Sequence, residues 1–378
     1  MAFPIDPVFL AWIAGLALFI FIFRKNVEIQ FPIFLLKSKS LGELIYKKSR
    51  KLERVIGPLA DFGVLVGFVG MVFVVYFLGK SLWQVLQPNG IGSVSIIIPG
   101  VRVPGSPVFL PFTYGIISIA LLAIVHELAH AIVASCHGVK PKSVALALFL
   151  FIPAAGVEID ERKLARRPLR TKLRIFAAGS FANFLTALLV LGLAGLVAFA
   201  AKPHFTPAGT EILTVAQGAP AEGMLLPGDV VTAINGRSVL NLSDFVSVAG
   251  ELKPGDSLEI EKVGGTRVTV VAGPREEDPT KGRLGITTRQ SVSFDSVGKI
   301  LLWLLGLFNW VFSLNIGVGI INLFPFPLMD GGRMFADVTK HYFGKERGNL
   351  VNKVAFFISA PLLAFNILIP IVKAVFFK

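Results

Sequence analysis

The sequence predicts a polytopic α-helical membrane protein: about six transmembrane helices plus a membrane-embedded β segment, with a small mostly-β domain inserted between helices four and five. Three observations lead there. Hydrophobic residues make up 54% of the 378 residues and charged residues only 16%, and mean hydropathy is +0.71, the profile of a chain that resides largely in lipid. Apolar runs long enough to cross a bilayer alternate with short basic loops. Residues 203–296 break that pattern with recurrent turn signals and short alternating stretches.

In chain order, residues 8–23 are apolar and stop at Arg24-Lys25. They lack a basic leader and a small-x-small cleavage site, so they read as an uncleaved first span. Residues 24–54 hold nine Lys/Arg against three acids, which assigns that loop to the cytoplasm by the positive-inside rule. Residues 59–78 form the second span, and the Gly- and Pro-rich residues 79–110 an outer loop. The third span, 112–136, returns inward. Residues 139–174 again carry nine Lys/Arg against three acids and read as cytoplasmic. Within them, eight apolar residues at 144–151 precede Pro153. That is too short for a span and suits a re-entrant strand covered by protein or lining a wet cavity.

Residues 173–201 are the fourth span. Residues 203–296 follow, where acids outnumber bases and turns fall at Pro227-Gly228-Asp229, Asn235-Gly236, Pro254-Gly255-Asp256 and Gly264-Gly265. This reads as a mostly-β domain outside the cytoplasm. Residues 297–323 are the fifth span, broken by Pro325 and Pro327, each of which removes a backbone donor. Residues 333–353 are basic and cytoplasmic, and 354–377 form the last span.

The net charge of +13 sits in loops flanking apolar runs, so it marks membrane orientation and not a nucleic-acid partner. The single cysteine, Cys136, excludes an internal disulfide; a small buried residue suits it better than a metal ligand.

The chemistry lies in the third span, at His126, Glu127 and His130. Residues four apart on a helix share a face, so the two imidazoles can reach one ion while Glu127 serves a water beside it. Zinc suits this ligand set. A polar patch tying a bundle together is the bland alternative, but three ionisable groups inside a span usually mark function. A third ligand is needed. Glu158 and Asp330 are the candidates, and Asp330 matches His130 in membrane depth, whereas Glu158 stands among charged neighbours. Asn183 is either an interhelical hydrogen-bonding residue or part of the site.

Residues 126–130, 179–183 and 322–331 together resemble the site-2 protease family of intramembrane zinc metalloproteases. The family pattern pairs HExxH with G-P-x-x-N and N-x-x-P-x-P-x-L-D-G. The chain keeps Gly179, Asn183, Asn322, Pro325, Pro327, Asp330 and Gly331, and departs at Ser180 and Met329. The resemblance implies Zn2+ on His126, His130 and Asp330, with Glu127 as general base. It also implies Asn183, Asn322 and Pro325 on the substrate side, the asparagines holding substrate backbone or oxyanion. Residues 219–236 are similar to the PAxxAGLxxGDxIxxING run of PDZ domains, which implies capture of a peptide C-terminus by strand addition; a spacer that restricts access is the other reading.

The expected organisation is then 1–110 N-terminal helices and loops, 111–202 the HExxH half of the metalloprotease core, 203–296 a PDZ-like extracytoplasmic domain, and 297–378 the Asp-Gly half with the last helix. The implied partners are membrane-spanning protein substrates and the lipid bilayer, in a multi-pass protein of the cell membrane. A scissile amide inside a helix is shielded, so the substrate span must unwind and pair with a strand from 144–151 or 157–159. Two other classes fit parts of the sequence: a metal-ion transporter, and a non-catalytic PDZ-bearing scaffold.

Overall fold

The computed structural model describes residues 7–23, 27–30, 32–87, 90 and 94–376. Two compact units emerge, one of residues 1–195 with 306–378 and the other of residues 196–305.

The first unit begins with α1 (Pro7–Ile22), an apolar helix of 16 residues. The expected stop at Arg24-Lys25 lies outside the described residues. Two strands follow, β1 (Val27–Gln30) and β2 (Ile33–Ser38), then α2 (Lys39–Ser49), whose start is capped by the Ser38 hydroxyl accepting from the Leu41 N–H. The loop expected at 24–54 is therefore mostly regular structure. Its apolar run at residues 33–36 supplies most of β2. Next come α3 (Glu53–Leu86), α4 (Phe112–Cys136), β3 (Pro141–Phe149), β4 (Ile152–Ile159), the short α5 (Glu161–Ala165) and α6 (Leu169–Ala201).

The expected re-entrant strand is a hairpin, β3–β4, in an antiparallel sheet of order β1-β2-β3-β4. Leu148 faces Pro153 and Val144 faces Val157 across it. β4 is an edge of that sheet, as Pro153 at its start permits. Between α3 and α4, residues 94–111 are irregular apart from one bridge, Ile98 to Val101.

The second unit carries β5 (Phe205–Val215), β6 (Val230–Ile234), β7 (Arg237–Ser238), α7 (Leu242–Glu251), β8 (Ser257–Lys262), β9 (Arg267–Val271), β10 (Gly273–Pro274), β11 (Gly282–Arg283) and β12 (Ile286–Phe294). Its main sheet runs β12-β5-β6-β8-β9, with β7 paired to β6. Ile212, Leu225, Val231, Ile234, Leu258 and Ile260 fill its core. The Asn235-Gly236 turn has both residues at positive φ, 50° and 75°, as a tight β6–β7 hairpin requires. Asn241 caps α7 in a reciprocal box with Asp244.

The chain closes with α8 (Ser296–Ile321) and α9 (Asp330–Phe376). The basic residues 333–353 are helical in α9, which runs into the last apolar segment across a kink at Gly344, φ 76°. Among the described residues, five helical segments are long and apolar enough to cross a membrane, Lys39–Leu86, Phe112–Cys136, Leu169–His204, Ser296–Ile321 and Asp330–Phe376; Val8–Ile22 is shorter. The six expected spans are thus five plus this short apolar helix.

Candidate metal centre

α4 sets His126 and His130 one turn apart on its buried face. Their Nε2 atoms lie 3.1 Å from each other, and each is 3.2 Å from Asp330 Oδ2. Asp330 reaches them through the break after α8. The Asn322 carbonyl accepts from the Gly331 N–H at 2.8 Å, and Met329 N–H donates to Phe326 O at 2.9 Å, so the chain reverses over residues 322–331 and restarts as α9 at the aspartate. Glycine is required in this reversal: a Cβ on Gly331 would strike the Leu323 carbonyl, and one on Gly332 the Phe326 carbonyl.

The triad fits a metal ion on three counts. His130 Nδ1 faces the Ile175 carbonyl at 2.7 Å; a carbonyl only accepts, so Nδ1 carries the proton and the neutral ring keeps a bare Nε2 lone pair. Asp330 Oδ2 is buried with no hydrogen-bond donor among the described residues. Finally, a tetrahedral ion with bonds of about 2.0 Å holds its ligands about 3.3 Å apart, close to the observed edges of 3.1 and 3.2 Å. His126, His130 and Asp330 are the set of three or more potential ligands that converge among the described residues.

α6 closes the back of the site. A Cβ at Gly179 would collide with both imidazoles, which explains a glycine in the middle of a long apolar helix. Asn183, one turn on, is fully buried and lies 3.2 Å from His126 Nδ1. It stands behind His126 and is not at the cavity wall, whereas Asn322 is at that wall. Pro325 sits half-buried in the reversal.

A cavity of about 320 Å³ opens onto the triad between α4, β4, α6 and the 328–333 segment. Glu127 lines it, and its Oε2 accepts from the Val157 N–H on edge strand β4 at 2.9 Å. Glu158 points elsewhere, to Lys142 and Ser143, with half of its side chain exposed. Arg333, stacked 5.2 Å from the Phe176 ring and paired with Glu161 at 2.6 Å, stands at the cavity mouth. Cys136 is buried, its thiol donating to the Ser49 carbonyl away from the triad. The Ile175 carbonyl and the Val157 N–H cannot be read from the sequence because backbone groups carry no residue signal.

In the β-rich unit, Asp229 bonds Lys262 Nζ at 2.6 Å and the Leu226 N–H at 2.8 Å. Burial pulls its carboxyl upward, but these two partners outweigh that and hold it below the usual range.

The model of peptidase family M50 matches residues 114–366, two thirds of the chain and all of the metal centre. The chain belongs to peptidase family M50. This is the site-2 protease family, in line with the resemblance of the three motifs. An uncharacterized protein of Methanocaldococcus jannaschii is 30% identical over 227 residues, 59% of this chain and 56% of that one. The membrane-bound transcription factor site-2 protease homolog of Arabidopsis thaliana is 25% identical over 223 residues, 57% of this chain and 42% of that one. The zinc metalloprotease RasP of Bacillus licheniformis is 23% identical over 244 residues, 51% of this chain and 56% of that one. The chain spans about half the length of these curated relatives. The PDZ domain of an SdrC-like protein from Listeria innocua aligns over 22% of this M50 chain and 96% of its own length, with 24% identity and a TM-score of 0.20.

Proposed function

We propose that this M50 chain is an intramembrane zinc metalloendopeptidase that hydrolyses peptide bonds within the transmembrane segments of single-span membrane proteins. The observation that carries the reading is the convergence of His126, His130 and Asp330 on one point within apolar helices, with Glu127 beside them on the same cavity.

His126, His130 and Asp330 would hold the ion, which when bound supplies Lewis acidity to a carbonyl and to water. The rest falls to this chain's own groups. β4 offers an edge where an unwound substrate segment can pair, satisfying backbone groups that lipid cannot. Glu127 stands at that edge, takes the proton from the attacking water and passes it to the leaving amine. Asn322 at the cavity wall is placed to donate to the substrate backbone or to the developing oxyanion, a contribution that is strong in a dry site. Pro325 and the 322–331 reversal hold both Asn322 and Asp330 in position.

The basic stretches of the membrane unit support a cytoplasmic placement for the site's end of the bilayer and an extracytoplasmic β-rich unit, in a multi-pass protein of the cell membrane. Cuts then fall in the inner half of the substrate span. The β-rich unit is read as PDZ-like, taking a peptide C-terminus in the groove lined by Phe245 and Ala249 of α7, by Leu252 just after it, and by residues 284–287 leading into β12.

The test is a purified assay on a panel of single-span substrates with wild type, Glu127→Gln and Asp330→Ala, each measured for metal content and cleavage. Loss of cleavage with metal retained in Glu127→Gln, and loss of both in Asp330→Ala, supports the protease. Metal flux in vesicles that survives Glu127→Gln would make it a transporter.

A further inference from the structure

The proposal concerns Asn183 and rests on the metal-centre reading above. His130 has its Nδ1 proton fixed by the Ile175 carbonyl, which leaves Nε2 bare. Among the described residues, no carbonyl faces His126 Nδ1. The partner of its Nδ1 is the side-chain amide of Asn183, at 3.2 Å. An amide can present either end. With the nitrogen inward, Asn183 donates to Nδ1, and the neutral ring must then carry its proton on Nε2, where it would point into the ligand triangle. With the oxygen inward, it accepts the Nδ1 proton and Nε2 is free. Oxygen and nitrogen of an amide are distinguished only by such bonding logic.

We propose that Asn183 is a positioning residue: its Oδ1 accepts the His126 Nδ1–H and so selects the tautomer that turns Nε2 toward the ion. Its burial removes it from substrate contact; it is 0% exposed. It is closely packed as well, since a Cβ on the facing Gly319 would come within 3.4 Å of the Asn183 Cβ and 2.8 Å of the Phe184 ring. The two histidines therefore have matching supports from one helix, a carbonyl of residue 175 and an amide oxygen of residue 183, two turns apart on α6. Outer partners of this kind tune metal affinity by about 10- to 100-fold.

The experiment measures zinc affinity of the purified full chain, stripped by chelator and titrated against a chromophoric competitor, for wild type, Asn183→Leu, Asn183→Asp and the ligand variant His126→Leu. Asn183→Leu loses about 10- to 100-fold in affinity, and Asn183→Asp, which keeps an acceptor but has no donor, stays near wild type. The cobalt-substituted absorption spectrum of Asn183→Asp matches wild type, while that of Asn183→Leu broadens. If Asn183→Asp binds as weakly as Asn183→Leu, or Asn183→Leu binds like wild type, the tautomer assignment is overturned while the metal centre stands. If wild type binds no better than His126→Leu, the metal centre itself falls and the assignment with it.

Discussion

Replacing Gly179 by alanine tests the geometry of the centre more sharply than removing a ligand. α6 brings this glycine against the imidazoles so closely that an alanine Cβ would lie 2.5 Å from both Cε1 and Nε2 of His126 and closer still to His130 Nε2. Ordinary contacts begin near 3.4 Å. The rings, or α6 itself, must therefore retreat by about 1 Å, in a region packed as tightly as an organic crystal. A ligand triangle with edges of 3.1 and 3.2 Å cannot absorb that shift and still hold one ion. A misplacement of about 1 Å is worth roughly 100-fold at a reacting centre, about 2.7 kcal/mol. Helix propensity pulls the other way, because alanine favours a helix by about 1 kcal/mol over glycine. Gly192 on the same helix has open space around it and supplies the control: Gly192→Ala keeps wild-type behaviour. Zinc competition titration and single-turnover cleavage are the assays. Gly179→Ala is expected to lose about 100-fold in both while remaining folded. Wild-type zinc affinity in Gly179→Ala would refute the reasoning.

Glu127→Gln retains stoichiometric zinc and loses about 10²- to 10⁴-fold in cleavage, the usual worth of a general base; metal analysis beside a cleavage assay checks it. Val157→Pro removes the N–H that Glu127 accepts and, on an edge strand, spares the fold; zinc binding persists and kcat falls, whereas an unchanged kcat would make that contact incidental. Asp330→Ala loses zinc, because two imidazoles alone leave the site short of a ligand; inductively coupled plasma analysis reads it. In the β-rich unit, Asp229 has a depressed pKa, so its stabilising contribution is complete above the unfolded value of about 3.9 and disappears as pH falls through the folded value. Hydrogen exchange of that unit should therefore show Asp229→Asn opening more readily than wild type near neutrality, with the gap closing as pH drops below about 4; a gap that widened in acid would contradict the assignment.

Much of the centre could be read from residue types because they carry their chemistry with them. His126, Glu127 and His130 are legible from spacing, and depth favoured Asp330 over Glu158, which the structure sets among Lys142 and Ser143. What spacing cannot convey is which side of a ring or amide faces a partner. The resemblance implies Asn183 on the substrate side, and its position 3.2 Å from His126 Nδ1 depends on the α4–α6 distance that Gly179 permits. The Val157 N–H and the Ile175 carbonyl belong to the backbone, which every residue shares. In the fold, basic content misled once, at the loop expected over residues 24–54. Residues 24–54 contain β1, β2 and α2, and residues 333–353 lie within α9. Lysine and arginine report which side of a bilayer a segment faces, and their long stems tolerate helix and edge strand alike, so charge fixes orientation and leaves secondary structure open. The hairpin β3–β4 was half visible, as a short apolar run before Pro153, while its pairing with β2 depended on contacts over a hundred residues away in sequence.

The most direct test is to map product termini by mass spectrometry after purified wild-type protein has cut a single-span substrate in detergent, with Glu127→Gln alongside. The expected result is new termini within the cytoplasmic half of the span, absent from the Glu127→Gln reaction and from the chelated one. Termini confined to residues outside the span, or the same products from Glu127→Gln, would contradict it.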